Sequence, residues 1–176
     1  MRVLIKYWRE NAIRIACFID DGAGTAKRFN LAKTHSSFVK NSLKLSGFVV
    51  NEEKSVWHPT QKMIWLGIHL DLKNEVYTIP EERIVSTFKV LHFIINSLPY
   101  TTARTLAKLC GKLISLKFVM GDIVRLKTRN LYYAIESRLS WDSRVVLSES
   151  KAISELFFWE ENLRMFNSKN LTSSQE

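Results

Sequence analysis

The run IRIACFIDDGAGT, Ile13 to Thr25, constrains this chain more than any other stretch. Residues Ile13 to Ile19 are β-branched and apolar apart from Arg14, a composition that crowds a helix and suits a strand. The reading is a buried strand. Asp20-Asp21-Gly22 then supplies turn chemistry, because Asp-Gly favours the positive φ values of hairpin turns. A second strand leads away from the small residues Gly22, Ala23 and Gly24. Two explanations stay open for the aspartates: they shape a tight turn, or they hold a metal.

The metal explanation has a physical basis. Carboxylates at a hairpin tip suit Mg²⁺, which prefers hard oxygen ligands and shares them with substrate phosphates. Small residues beside them let a substrate backbone approach closely. Nucleotidyl transfer needs such a site, with one metal activating a 3′-hydroxyl and a second steadying the pyrophosphate. Successive strand residues point to opposite faces, so both aspartates face one metal only if the turn bends them there. Asp20 is expected to be the stronger ligand and Asp21 the weaker. Two metals also need another carboxylate from a neighbouring strand, and no strand upstream of Asp20 supplies it. An essential strand this close to Met1 suggests that the chain begins in the middle of a domain.

Charge points to a polyanion. The formal net charge is +9. Residues 1–50 carry nine Lys or Arg against three acids, and residues 101–150 carry nine against four. The intervening segment is nearly neutral, so two basic surfaces could grip one nucleic acid. General solubility is the alternative. Cys17 and Cys110 stand far apart in apolar settings and read as buried free thiols of a reducing, intracellular compartment. No stretch approaches the ~20 apolar residues of a membrane span. The N-terminus lacks the character of a targeting peptide, since Glu10 interrupts it.

The remaining pattern predicts an α+β chain. Residues 2–9 read as the end of a helix. Thr25 is expected to cap a long helix running to about Ser46, with Phe29, Ala32, Val39 and Leu43 on its apolar face and Gly47 as terminator. Phe48–Asn51 and Met63–Asp71 read as strands, the latter paired with Glu75–Ile79. Pro80 opens a helix with the stripe Ile84, Phe88, Leu91, Ile95 and Leu98. From Thr101 the chain reads as helical. One helix, capped by Thr101 or Thr102, carries Leu106, Leu109, Leu113, Leu116 and Met120 and ends at Gly121. A second runs from about Ile123 to Leu139, and a third from about Ser148 to Phe166. The polar tail is expected to fray. The boundary between the two parts falls near Leu98 to Tyr100. Trp57, Trp65, Trp141 and Trp159 read as core, and the four histidines show no ligand spacing.

Several motifs in order carry a family resemblance. FIDDG resembles the Tyr-x-Asp-Asp box of reverse transcriptases, with Phe18 in the tyrosine place. GFVVNEEKS, Gly47 to Ser55, is similar to the next palm motif, which ends in a lysine, here Lys54. WLGIHLD, Trp65 to Asp71, resembles the primer-grip hairpin. ARTLAKLCGKLISL and LKTRNLYYAI resemble thumb helices, and ELFFWEENLRMFN resembles the connector before an RNase H domain. The best overall match is to reverse transcriptases of DIRS-like retrotransposons, from about Val3 to Asn167.

The resemblance implies a partial polymerase palm over residues 1–99, a helical thumb over 100–147 and a connector over 148–176. It implies an RNA-directed DNA polymerase (a nucleotidyltransferase) acting on an RNA or DNA primer–template and dNTPs with Mg²⁺ or Mn²⁺. Asp20 and Asp21 would be the catalytic metal ligands. Lys54 would serve the nucleotide or pyrophosphate, and Trp65, Leu66 and Gly67 the primer end. Arg104, Lys108, Lys112, Arg125, Lys127 and Arg129 would line the thumb, where matching acids look absent. The fingers, the first catalytic aspartate and an RNase H site are not in the sequence, and Phe18 lacks the family hydroxyl. The chain alone is therefore expected to be inactive as a polymerase. A non-catalytic nucleic-acid-binding module, or an inactive retroelement relic, is the alternative.

Overall fold

A computed structural model describes residues 1–148 and 151–171 of the chain. It contains helices and small antiparallel sheets, compatible with an α+β class, and divides into two compact units, Met1–Leu66 and Gly67–Glu176.

The first unit opens with helix α1, Arg2–Glu10, whose apolar face buries Trp8. The Trp8 indole donates to Ser42 Oγ at 2.7 Å, tying α1 to the long helix that follows the hairpin. Strands β1, Arg14–Phe18, and β2, Asp21–Thr25, pair antiparallel from Arg14 opposite Thr25 to Phe18 opposite Asp21. DGAGT is therefore itself a strand, and the turn is Ile19-Asp20, two residues earlier than the Asp21-Gly22 signal predicts. Helix α2 spans Phe29–Leu45. Thr25 lies in β2 and does not cap it; Arg28 stands at the N-cap without a side-chain bond. Its C-terminus follows the sequence. Gly47 has φ 79°, Gly47 N–H reaches Lys44 O at 3.1 Å, and Phe48 N–H reaches Leu43 O at 3.0 Å, a Schellman closure.

The core of this unit is small. Trp8, Ile13 and Val39 are buried, with Ile15, Cys17, Leu43 and Trp57 packed around them. β1 is thus half-exposed, not buried: Ile15 and Cys17 turn inward, while Phe18 is 58% exposed. The reason is layering, since this unit packs only one face of the hairpin. Phe48–Asn51 forms no strand, and Val49 is 99% exposed. Valines favour strands only where a ladder partner exists. Strand β3, Lys62–Trp65, closes the unit.

In the second unit, β4, Ile68–Asp71, and β5, Val76–Thr78, form a hairpin. The predicted single strand Met63–Asp71 is broken because Leu66 and Gly67 both take positive φ, 51° and 72°, and turn the chain. Helix α3, Glu81–Asn96, has Pro80 at its N-cap and buries Ile84, Thr87, Leu91 and Ile94. Phe88, Ile95 and Leu98 from the predicted stripe pack only partly against the core.

Beyond α3 the chain is not all helical. Strand β6, Tyr100–Thr102, leads into helix α4, Ala103–Ile114, where Thr102 accepts from Thr105 N–H as the expected cap. α4 stops early because the Ser115 hydroxyl bonds back to Lys112 O at 2.6 Å and receives Arg83 Nη2 at 2.7 Å. Leu116 and Met120 stay buried through a separate short helix, α5, Lys117–Met120, which Gly121 ends at φ 80°. The predicted helix from Ile123 also splits, into α6, Ile123–Leu126, and α7, Arg129–Glu136. Strand β7, Arg144–Val146, pairs with β6.

Helix α8, Lys151–Asn162, follows. The helix expected from about Ser148 to Phe166 is thus shorter at its C-terminal end; Ser148 is a bend, and residues 149–150 and the tail from 172 lie outside the described residues. Ser168–Asn170, expected to fray, is strand β8 on the edge of β5.

α8 explains the split between α6 and α7. The buried Glu155 carboxylate accepts from Asn130 N–H, Leu131 N–H and Asn130 Nδ2, at 2.6 to 3.0 Å. These are unpaired donors of the first turn of α7, where an anion is also favoured by the helix dipole. One turn later the Trp159 indole donates to Lys127 O at 2.7 Å. Both polar ends of the break are thus satisfied inside a core of leucines from α4, α7 and α8.

Two outcomes follow. Glu155→Ala leaves buried N–H groups unpaired and is expected to lower unfolding stability by about 3 kcal/mol, measured by urea denaturation; a change below about 0.5 kcal/mol would contradict the capping role. Burial, aided by the nearby Glu155 charge, pushes the Cys110 thiol up to about 12. The folded chain favours the neutral thiol, so this contribution is intact below the ordinary thiol range and is lost as pH climbs towards 12. Alkylation near about pH 8 should reach Cys17 well before Cys110, and equal rates would count against a closed core.

Candidate functional site

The hairpin β1–β2 places the paired aspartates at its tip. Ile19 and Asp20 form the two-residue turn, and Asp21 is the first residue of β2, opposite Phe18. Both carboxylates are exposed, and no hydrogen bond or ion pair holds either one among the described residues. Ile19 is the residue that sequence reasoning overlooked. It has φ 53°, a left-handed conformation that a β-branched side chain adopts only under strain, and it is 77% exposed. No packing of the isoleucine side chain repays that strain within the unit.

The glycines of β2 are not demanded from within. A Cβ at Gly22 would meet Cys17 Sγ at 3.5 Å, and one at Gly24 would meet Arg14 O at 3.8 Å, both ordinary contacts. In a two-residue hairpin the flanking pair Phe18 and Asp21 is hydrogen-bonded, so Gly22 and Gly24 turn their backbone groups away from β1. A bare, side-chain-free backbone edge therefore runs beside the aspartates.

Two adjacent free carboxylates suit a hard cation such as Mg²⁺. Among the described residues no group of three or more His, Cys, Asp or Glu side chains gathers where it could hold a metal. Asp20 and Asp21 thus offer two ligands, and a closed site needs oxygen donors from elsewhere.

Lys54 lies in the loop after α2. Its backbone N–H donates to Asn51 Oδ1 at 3.1 Å, and its side chain is exposed. The neighbouring Glu52 is taken by Lys40 and Lys44, at 2.7 and 3.0 Å, which hold its carboxyl below the usual range. Glu52 is therefore committed to α2 and does not neutralise Lys54.

Trp65, Leu66 and Gly67 form the end of β3 and the turn after it. Trp65 is half-buried, and its indole Nε1 is buried without a partner among the described residues. Gly67 O accepts from Arg83 Nη1 at 2.7 Å, and a Cβ at Gly67 would lie 2.7 Å from that nitrogen. Here φ favours glycine, and a Cβ would in addition push aside the end of the Arg83 side chain.

The six thumb cations do not form one uniform row. Arg104 makes a two-pronged bond to Asp142 at 2.7 and 2.8 Å, which corrects the expectation that it has no matching acid. The two groups hold each other charged, Arg104 shifted up and Asp142 down. Lys108 is exposed on α4. Lys112 Nζ donates to Ser86 Oγ at 2.9 Å. Arg125 is exposed on α6, near the Asp122 that Lys117 binds at 2.9 Å. Lys127 lies over the Phe158 ring at 4.7 Å, and Arg129 donates to the Tyr133 hydroxyl at 2.9 Å. Among the tryptophans, Trp159 is core as expected, whereas Trp141 is 46% exposed.

In comparisons with known proteins, no family model matches the chain, and no curated protein matches it significantly.

Two of the three positive-φ residues of these turns, Gly67 and Ile19, predict opposite signs. Gly67→Ala is expected to destabilise by about 1–2 kcal/mol, because alanine resists φ > 0 and meets Arg83. Ile19→Gly is expected to stabilise the first unit by about 1 kcal/mol by removing strain. Equilibrium unfolding of both variants checks the pair; loss of stability in Ile19→Gly would remove the strain argument.

Proposed function

We propose that this chain is part of an RNA-directed DNA polymerase of the reverse-transcriptase type, similar to those of DIRS-like retrotransposons. In this reading residues 1–99 belong to the palm, 100–147 to the thumb and 148–176 to a connector. The observation that carries it is the hairpin tip: a two-residue turn, strained at Ile19, presents two adjacent carboxylates to solvent, neither paired among the described residues. Strain held at an exposed turn is a mark of a functional site. The open glycine edge of β2 supports the same reading, since nothing inside the unit calls for glycine there.

The roles follow from the chemistry of the side chains. Asp20 and Asp21 hold Mg²⁺ or Mn²⁺ together with a further carboxylate from the remainder of the palm. The bound metals supply the Lewis acidity that nucleotidyl transfer needs. The exposed Lys54 ammonium suits the charge of a nucleotide or pyrophosphate. The Trp65–Gly67 turn steadies a primer end, and Lys108 with Arg125 offers the least committed charges of the thumb to duplex phosphates.

A second reading is a nucleic-acid-binding module without chemistry. The net charge of +9 favours it independently of the aspartates.

The test separates the two. In an enzyme completed by a fingers-and-palm half carrying the first catalytic aspartate, Asp20→Asn is expected to reduce primer extension to background with primer–template affinity nearly unchanged. Extension near the wild-type rate would sink the metal-ligand assignment. The 176-residue chain alone is expected to show no dNTP incorporation, with binding that weakens steeply with salt.

A further inference from the structure

An exposed aromatic and arginine cluster in the second unit is left unused by the proposed function. It is built on the β6–β7 pair and the turn before β7. Ser140 to Ser143 form a tight turn, in which Ser143 N–H and Oγ both bond to Ser140 O. Trp141 sits at its corner. The turn is clamped from α4: Arg104 N–H donates to Trp141 O at 2.9 Å, and the Arg104 guanidinium grips Asp142. Trp141 is thus held rigidly while 46% of its surface stays in solvent.

Guanidinium groups stack on both exposed rings. Arg138 lies 4.0 Å from the Trp141 ring centroid, and Arg144 lies 4.8 Å from that of Tyr100, itself 48% exposed. Arg138 is fixed further by its bond from Nη1 to Ile135 O at 2.9 Å. Tyr100 and Arg144 share the outer face of the strand pair, because Tyr100 faces Val146 and Thr102 faces Arg144. Among the described residues of the patch, Asp142 is taken by Arg104, which leaves Arg138 and Arg144 without a carboxylate partner.

We propose that this patch binds single-stranded nucleic acid, with unpaired bases stacking on Trp141 and Tyr100 and the adjoining phosphates meeting Arg138 and Arg144. Ligand faces must be flat, apolar and attached to negative charge to satisfy rings and guanidinium groups together. An unpaired nucleotide has that combination. A duplex keeps its base faces stacked inside and offers the rings nothing. An aromatic–arginine patch also suits a protein partner, but the excess of arginine over acid favours a polyanion. The proposal does not rest on the polymerase reading, since all of its residues belong to the second unit and the aspartate hairpin belongs to the first.

The experiment is fluorescence anisotropy of a labelled mixed-sequence single-stranded DNA 20-mer and of its blunt duplex, with the intact chain at several salt concentrations. Trp141→Ala is expected to weaken single-strand binding about tenfold and leave duplex binding unchanged. Trp141→Phe, which keeps a stacking face, is expected to restore most of the loss. Arg144→Gln is expected to reduce the slope of log affinity against log salt by about one. Far-UV circular dichroism and the summed fluorescence of the buried Trp8 and Trp159 and the other tryptophans confirm that each variant is folded. Equal single-strand affinity in wild type and Trp141→Ala overturns the proposal, as does an equal loss on single strand and duplex. A Trp141-dependent self-association with no effect on the 20-mer assigns the patch to protein and overturns it too. Failure of primer extension in an Asp20→Asn enzyme leaves it standing.

Discussion

The second unit depends on one buried carboxylate. Glu155 enters a leucine-rich core, where a lone charge is costly, and is held there by the first N–H groups of α7. The bargain is mutual, since those N–H groups are the ones a helix start leaves unpaired. Trp159 on the same helix takes the carbonyl of Lys127 on the other side of the break. α8 therefore decides where α6 stops and α7 starts, and with them the course of the chain towards β7.

The same logic governs the cations. Few of the basic side chains in the second unit stand alone. Lys127, Arg129, Arg138 and Arg144 lie over aromatic rings, Arg104 grips Asp142, and Lys112 leans on Ser86. A guanidinium over a ring keeps its charge and much of its hydrogen-bonding capacity while losing mobility. The charge of this unit is thus organised into fixed directions. The first unit works differently. Its core is three buried residues deep, and its most distinctive feature, the strained Ile19-Asp20 turn, stands in solvent.

Much of the local structure was legible in residues that act through their own backbone. Gly47 ends α2 and Gly121 ends α5 by taking positive φ, and Thr102 caps α4 through its own hydroxyl. Leu106, Leu109 and Leu113 are buried because helical spacing puts them on one face. The paired aspartates were expected at a hairpin tip, and they are there, with the turn two residues ahead of the Asp-Gly signal. The misses share a cause. The helix breaks at Ser115 and before α7, the β6–β7 pair and the strand at Ser168–Asn170 all depend on partners distant in sequence. Arg83 reaches Ser115, Glu155 reaches Asn130, Val146 pairs with Tyr100, and β5 collects β8. No window of local periodicity contains both members of such a pair.

By itself, then, the sequence determined the buried stripe of α4, the helix ends at Gly47 and Gly121, the cap at Thr102, the free state of both cysteines, and the place of two aspartates at a hairpin tip. These follow from steric and hydrogen-bonding preferences that each residue carries wherever it stands. Tertiary structure alone decided that Phe18 and Ile19 face solvent, that Ile19 absorbs the strain of the turn, that Arg104 has an acid partner and that Trp141 is displayed instead of buried. Those outcomes turn on which surfaces remain after packing, and that is a property of the folded chain as a whole.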